Sequence, residues 1–210
     1  MTDRYDAILF DFDGVLVDSE PVHYACWKEV LAPFGVDLPW DVYAASCIGV
    51  ADRDMIRTFA DNLGIDFDEL WAQYPRKKEL FRARNLTEVV FLPETLELVR
   101  EVAAQYKLAV VSSSARIEIE PVLVRAGIRP MFEAMVCGSE VPRLKPAPDP
   151  YLRAAELLGA SRPLVVEDSD AGEQSGRAAG FDVLRLIDAA ALARALRGRL
   201  RSSVGLRLRD

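Results

Sequence analysis

Hydrophobic and polar positions recur along the chain with two different periods. Residues 6–11 read Asp-Ala-Ile-Leu-Phe-Asp, a short apolar run ending at a carboxylate, with Gly14 close behind. That is the pattern of a buried strand. From Pro21 to about Phe81 the pattern is largely helical. Val22, Ala25, Cys26, Val30 and Leu31 fall near helical spacing, and Pro21 suits a first turn. Two further helices are expected over Ala51–Leu63 and Phe67–Phe81, separated by Gly64. No strand pattern occurs between about 18 and 85.

Beyond that block, strand and helix alternate. Helices are expected over Pro93–Gln105, Glu118–Ala126, Pro148–Leu158 and Ala171–Ala179, the last three stopping at Gly127, Gly159 and Gly180. Pro121 fits its helix only within the first turn. Strands are expected over Lys107–Val111, Ala134–Cys137, Pro163–Val166 and Val183–Ile187. Repeated strand–helix units of this length imply a mostly parallel sheet covered by helices. The fold class is therefore α/β: a Rossmann-like core formed by residues 1–17 and 84–210, with an all-helical domain inserted over 18–83. The tail, 189–210, carries Arg194, Arg197, Arg199, Arg201, Arg207 and Arg209. It reads as a final amphipathic helix or as a weak anion-contacting surface.

Composition narrows the function classes. Of 210 residues, 50% are hydrophobic and 28% charged, which excludes wholesale disorder. A net charge of -7 argues against a nucleic-acid-binding surface. No apolar run approaches the roughly 20 residues that span a membrane. Asp3, Asp6, Asp11 and Asp13 against Arg4 do not suit a signal peptide, so a cytoplasmic location is expected. Cys26, Cys47 and Cys137 have no paired spacing and read as buried thiols in a reducing compartment. His23 is the single histidine, which weighs against a histidine-rich metal site.

The candidate chemistry lies where polar residues follow apolar strands, because open parallel sheets carry their sites beyond the carboxyl ends of the strands. Asp11 and Asp13 follow the first strand, Ser112, Ser113 and Ser114 the second, and Glu167 and Asp168 a later one. Lys145, in Leu-Lys-Pro-Ala-Pro-Asp, can reach the same edge. Four gathered carboxylates repel one another unless a cation compensates. Oxygen ligands suit Mg²⁺ better than zinc. Taken singly, each pair could merely cap a helix or turn. Taken together with Lys145, the clusters describe a metal and phosphate site, and Asp is a known covalent nucleophile in phosphoryl transfer.

The segment Asp11-Phe-Asp-Gly-Val-Leu-Val-Asp-Ser-Glu resembles the first motif of the haloacid dehalogenase-like superfamily, in its phosphatase and beta-phosphoglucomutase branch with a helical cap. The resemblance extends from Tyr5 to about Leu186. It implies that Asp11 is the nucleophile and Asp13 the general acid and base. It implies that Ser112 binds the transferring phosphoryl and that Lys145 neutralises nucleophile and phosphate. Mg²⁺ is the implied cofactor, held by Asp11, Asp168, Glu167 and the backbone carbonyl of Asp13. Gly14 would let the loop turn so that backbone N–H groups meet the phosphate.

The helical block would be the cap, closing over the site to exclude bulk water. His23 resembles a cap-side histidine of the branch, and its plain alternative is a hydrogen-bonded structural histidine. Lys77, beside Arg76 and Lys78, resembles a cap lysine pointing into the cleft, against a solvated helix face. Where a mutase has its cap arginine this chain has Asp52, with Arg53 one place late; where a mutase has a lysine after Ser114 it has Ala115, then Arg116. A mutase must hold a second phosphate, which Asp52 would repel. The expected activity is therefore Mg²⁺-dependent hydrolysis of a small sugar or polyol phosphate, with a phosphosugar mutase as the alternative. Ser113, Ser114, Arg53 and Arg116 complete the expected substrate contacts. The expected partner is a small phosphorylated metabolite, neither nucleic acid nor membrane, with the protein a monomer or at most a dimer.

Overall fold

The computed structural model describes residues 5–204. Five parallel strands, β1 (Ala7–Phe10), β2 (Lys107–Val111), β3 (Ala134–Val136), β4 (Pro163–Glu167) and β5 (Asp182–Arg185), form one sheet in the order β3-β2-β1-β4-β5. The four strands β1 to β4 are buried almost throughout, so their apolar residues run continuously rather than alternating. β5 is a short edge strand and only half-buried. Chain contacts divide the described residues into two compact units, one ending at Asp18 and resuming at Val90, the other running from Ser19 to Val89.

The first unit wraps the sheet in helices α6 (Pro93–Ala103), α7 (Arg116–Arg125), α8 (Asp149–Leu158), α9 (Asp170–Ala178) and α10 (Leu192–Val204). Ala7, Leu9, Val111 and Val165 meet Tyr151, Ala154 and Leu158 of α8 in one apolar cluster. α7 starts earlier than the sequence suggests. The Glu118 carboxylate accepts from the Ala115 N–H at 3.2 Å and secures the helix start. Pro121 therefore lies in the second turn rather than the first, and the Ile117 carbonyl loses its helical partner. Both residues are exposed, where water can serve that carbonyl. α10 buries Leu192 and Leu196, while Arg197 pairs with Glu101 at 2.7 Å and Arg199 with Asp182 at 2.9 Å. These contacts favour the amphipathic-helix reading of the tail; Arg207 and Arg209 lie outside the described residues.

The second unit is entirely helical among its regular elements: α1 (Glu20–Leu31), α2 (Trp40–Ser46), α3 (Asp52–Leu63), α4 (Phe67–Trp71) and α5 (Tyr74–Glu88). The single helix expected over Phe67–Phe81 is two. Pro75 has no N–H, and its ring would clash with the Trp71 carbonyl if α4 ran through it, so it sits instead in the first turn of α5. Asp66 caps α4, accepting from the N–H groups of Asp68 and Glu69. The boundary expected between 83 and 84 falls inside the continuous helix α5. Trp27, Leu31, Leu38, Met55, Ile56 and Leu70 form this unit's own core.

Candidate active site

β1 is flanked by β2 and β4, and Phe10 stands beside both Val110 and Val166. Asp11 is one residue further on, at the level of Val111 and Glu167, with its N–H donating to the Val166 carbonyl at 2.9 Å. This is the point where the strand order reverses, the place at which open α/β sheets bind ligands. Lys145 enters from the segment after β3, preceding a cis bond to Pro146. Its ammonium donates to Asp11 Oδ1 at 2.7 Å, to Glu167 Oε1 at 2.6 Å and to the Val111 carbonyl at 3.0 Å.

Asp11, Glu167 and Asp168 bring carboxylate oxygens within 4.8 Å of one another. Lys145 thus bridges two of these three carboxylates, Asp11 and Glu167. Burial pushes Asp11 well above the usual carboxylate range, opposed by Lys145 and reinforced by Glu167 and Asp13. Burial, then the charge of Glu167, pushes Asp168 up to about 6. Burial works against the Lys145 charge, but Asp11, Tyr151 and Glu167 hold it firmly cationic. Glu167 is likewise penalised by burial but kept below its usual value by Lys145. The site has oxygen ligands and surplus negative charge, which fits Mg²⁺. Gly14, at φ +72°, makes room for Asp168: a Cβ there would lie 1.9 Å from Asp168 Oδ2.

Asp13 lies in the turn after Asp11, where the Gly14 N–H donates to the Val17 carbonyl at 2.7 Å. The Ser114 hydroxyl donates to Asp13 Oδ2 at 3.2 Å. Ser112 is buried, and its Oγ accepts from the Ser114 N–H at 3.0 Å. Ser113 is exposed on the same loop. The loop is packed closely against the segment after β3, where the Gly138 N–H donates to the Ser114 carbonyl at 3.0 Å. Asp11, Asp13, Gly14, Ser112, Ser114, Lys145, Glu167 and Asp168 are thereby linked around one sheet edge.

Arg116 is committed elsewhere. Its guanidinium binds Glu140 through Nε and Nη2, at 2.7 and 2.9 Å, and donates to the Met135 carbonyl at 3.0 Å. The bidentate pair holds the fork on Glu140, so the expected substrate contact is not among its partners here. In the helical unit, Arg53 lies over the rings of Phe67 and Trp71, with its guanidinium carbon 5.1 and 5.4 Å from their centroids. It too differs from the expected phosphate contact. Lys77 is buried, not on a solvated face: its Nζ is 2.9 Å from His23 Nδ1, 3.2 Å from Asp52 Oδ2 and 5.1 Å from the Trp27 ring centroid. The His23 ring stacks on Phe81 at 3.9 Å. Burial, then the charges of Lys77 and Lys78, keeps His23 well below its ordinary pKa, so it is neutral at pH 7. Its Nδ1 therefore accepts from the lysine.

One participant has no strong signal in the sequence. Tyr151, six residues after Lys145, is fully buried and its hydroxyl donates to Glu167 Oε1 at 2.9 Å. A tyrosine on the apolar face of a helix is the available clue, since a buried phenol needs a partner. Gly172, which follows Glu167-Asp168-Ser169 in the segment resembling the family's metal-binding motif, leaves room for that carboxylate: a Cβ there would lie 1.7 Å from Glu167 Oε1. All three cysteines are free and buried, and none of the described helices is long and apolar enough to cross a membrane.

A family model described as haloacid dehalogenase-like hydrolase matches residues 8–186. A fructose-1-phosphate phosphatase of Escherichia coli (strain K12) is 32% identical over 186 residues, covering 88% of this chain and 97% of that protein. A phosphorylated carbohydrates phosphatase of Thermotoga maritima is 30% identical, covering 84% and 82% of the two chains. Among solved structures, a hydrolase of the same family from Deinococcus radiodurans R1, with bound phosphate and sodium, is similar with a TM-score of 0.72 at 28% identity, covering 96% and 97%. A family match over most of the chain, together with relatives of this similarity, has one meaning: the chain belongs to the haloacid dehalogenase-like hydrolases and is a phosphatase of that family.

Proposed function

We propose that the protein hydrolyses a small sugar or polyol phosphate monoester in a Mg²⁺-dependent reaction through an aspartyl-phosphate on Asp11. The observation that carries the reading is the position of Lys145, whose ammonium joins Asp11 to Glu167 within reach of Asp168. Asp11, Asp168 and the backbone carbonyl of Asp13 are the groups assigned to the cation. When bound, Mg²⁺ would offset the charge gathered between carboxylates and phosphate.

In the first half-reaction a carboxylate oxygen of Asp11 attacks phosphorus and the bond from phosphorus to the ester oxygen breaks. Asp13 gives its proton to the departing alkoxide, oriented by the Ser114 hydroxyl on its Oδ2. In the second half-reaction Asp13 takes a proton from water as that water attacks phosphorus, releasing inorganic phosphate and restoring Asp11. Lys145 stays cationic throughout and steadies the carboxylate that is consumed and regenerated. Ser112 is assigned to the transferring phosphoryl group.

Hydrolysis is favoured over phosphate migration by the occupation of the cations that a second phosphate would need. Arg116 is held by Glu140, Arg53 lies on aromatic rings, and Lys77 is paired with Asp52. The sugar phosphates named for the relatives in E. coli and T. maritima support the substrate class. The test is phosphorus NMR with Mg²⁺ on fructose 1-phosphate, phosphoglycolate and β-glucose 1-phosphate, the last with a trace of the 1,6-bisphosphate. Release of free phosphate with no isomer is expected. Glucose 6-phosphate accumulating faster than free phosphate would overturn the reading in favour of a mutase.

A further inference from the structure

Glu167 belongs to the carboxylate group that could hold a cation, but its lone pairs are already in use. Its Oε1 accepts from Lys145 at 2.6 Å and from the Tyr151 hydroxyl at 2.9 Å. Its Oε2 accepts from the N–H of Asp168, the N–H of Ser169 and the Ser169 hydroxyl, each at 3.0 Å. A carboxylate offers about four lone-pair sites across two oxygens. Five donors fill them, and Glu167 is fully buried, so ligating a cation means giving up a hydrogen bond inside the protein. The Oε2 donors come from the turn that directly follows Glu167, and Lys145 is shared with Asp11. Tyr151 is the remaining donor, and it reaches Glu167 from α8, across the sheet edge.

We propose that Tyr151 is a positioning residue that withholds Glu167 from the cation and thereby sets the site's choice of metal, an inference that rests on the reading of this site as a Mg²⁺ site. With Glu167 held back, Asp11 and Asp168 are the carboxylate ligands. Such a set suits a small ion that keeps several waters in octahedral geometry, as Mg²⁺ does. A third carboxylate oxygen would favour the larger Ca²⁺, which takes six to eight oxygen ligands in flexible geometry. Phenylalanine at position 151 would keep the ring in place against Ala7, Leu9 and Val165 while deleting the one hydroxyl. Glu167 Oε1 would then gain a lone pair, on a carboxylate that has an oxygen within 4.8 Å of those of Asp11 and Asp168.

Isothermal titration of the substrate-free protein with Mg²⁺ and with Ca²⁺ tests this without reference to turnover. In Tyr151→Phe the Ca²⁺ to Mg²⁺ affinity ratio should rise by about tenfold, the size of one modest ligand interaction. A ratio unchanged from the parent protein overturns the inference while leaving the phosphatase reading intact. A parent protein that binds neither cation overturns both. Glu167→Gln gives a second arm: it should weaken Mg²⁺ binding less than tenfold, whereas Asp168→Asn should remove measurable binding. Equal losses in those two variants would make Glu167 a ligand and overturn the inference. Loss of packing alone would lower both cation affinities together and leave their ratio fixed.

Discussion

Asp52 and Lys77 offer the sharpest perturbation of the helical unit. Asp52 Oδ1 accepts from the Trp27 indole at 2.9 Å and Oδ2 from Lys77 at 3.2 Å. The Lys77 side chain is 1% exposed and that of Asp52 33%. Asp52→Asn keeps an acceptor for the indole but removes the negative charge and turns an N–H₂ toward an ammonium. At an effective dielectric of about 20, the pair at this distance attracts by about 5 kcal/mol before desolvation. Breaking buried pairs by removing one partner costs about 3–5 kcal/mol, and partial exposure of Asp52 reduces that here to about 2–3. His23 remains as an acceptor but brings no charge.

All three tryptophans, Trp27, Trp40 and Trp71, lie in this unit, so their fluorescence during urea denaturation follows it specifically. Asp52→Asn should lose about 2–3 kcal/mol at pH 7. Adding Lys77→Met should recover at least ~1 kcal/mol, since an apolar side chain removes the stranded charge. Burial lowers the Lys77 pKa and Asp52 raises it back in part, so the folded value lies below the ordinary 10.5. Between the folded and unfolded values the unfolded chain holds more protons, so stability rises with pH there. Asp52→Asn lowers the folded value further and widens that window downward. The deficit should therefore be largest at neutral pH and shrink as pH climbs toward 10.5. A deficit independent of pH, or a double variant equal to the sum of the two singles, would refute the pairing.

Asp11→Asn should abolish turnover and leave no covalent adduct, while Asp13→Asn should still accept phosphoryl from acetyl phosphate; mass spectrometry that finds the adduct on another residue would displace Asp11 as nucleophile. Gly172→Ala should cost at least ~3 kcal/mol, because the new methyl would overlap a Glu167 carboxylate that Lys145, Tyr151 and Ser169 hold in place; an alanine variant with the parent's circular-dichroism melting curve would contradict this. Asp6 is pushed up by burial but pulled below its ordinary value by bonds from Ser161 and Arg162, so its contribution is present above the unfolded carboxylate value and lost as pH falls through the folded one. Asp6→Ala should cost about 1 kcal/mol after allowance for solvent exposure, or roughly 2–4 °C in melting temperature at pH 7, with the gap narrowing as pH falls below the ordinary carboxylate value; a gap that stays constant as the pH is lowered through the carboxylate range would contradict the assignment.

The strand–helix alternation was legible because each strand is a short continuous apolar run, and because Gly159, for example, ends its helix in the left-handed conformation that favours glycine. The core of the site was legible for a related reason. Polar residues directly after buried runs need partners that an apolar core lacks, so Asp11, Ser112 and Asp168 announce the sheet edge. Partner choice was not legible. Arg116 finds Glu140 across 24 residues and Lys77 finds His23 across 54. Periodicity describes one element at a time and is silent on which polar groups meet once elements pack. The same limit hid the break before Tyr74, where a local steric rule at Pro75 overrides an apolar pattern that runs on regardless.

Register is what turns those separate signals into one site. Phe10 stands level with Val110 and Val166, so the next residues on three strands, Asp11, Val111 and Glu167, arrive at the same height. A lysine has three N–H donors. Lys145 spends one on each of those three residues, two on side chains and one on the Val111 carbonyl. Slipping β1 by one residue would move Asp11 by about 3.3 Å and turn it to the opposite face of the sheet. The same slip would bring a carboxylate, Asp6 or Asp11, into a core position that Ala7 or Phe10 now fills. Apolar burial along β1 therefore holds Asp11 against Lys145, and the geometry of the site depends on how many residues separate the apolar run from its carboxylate.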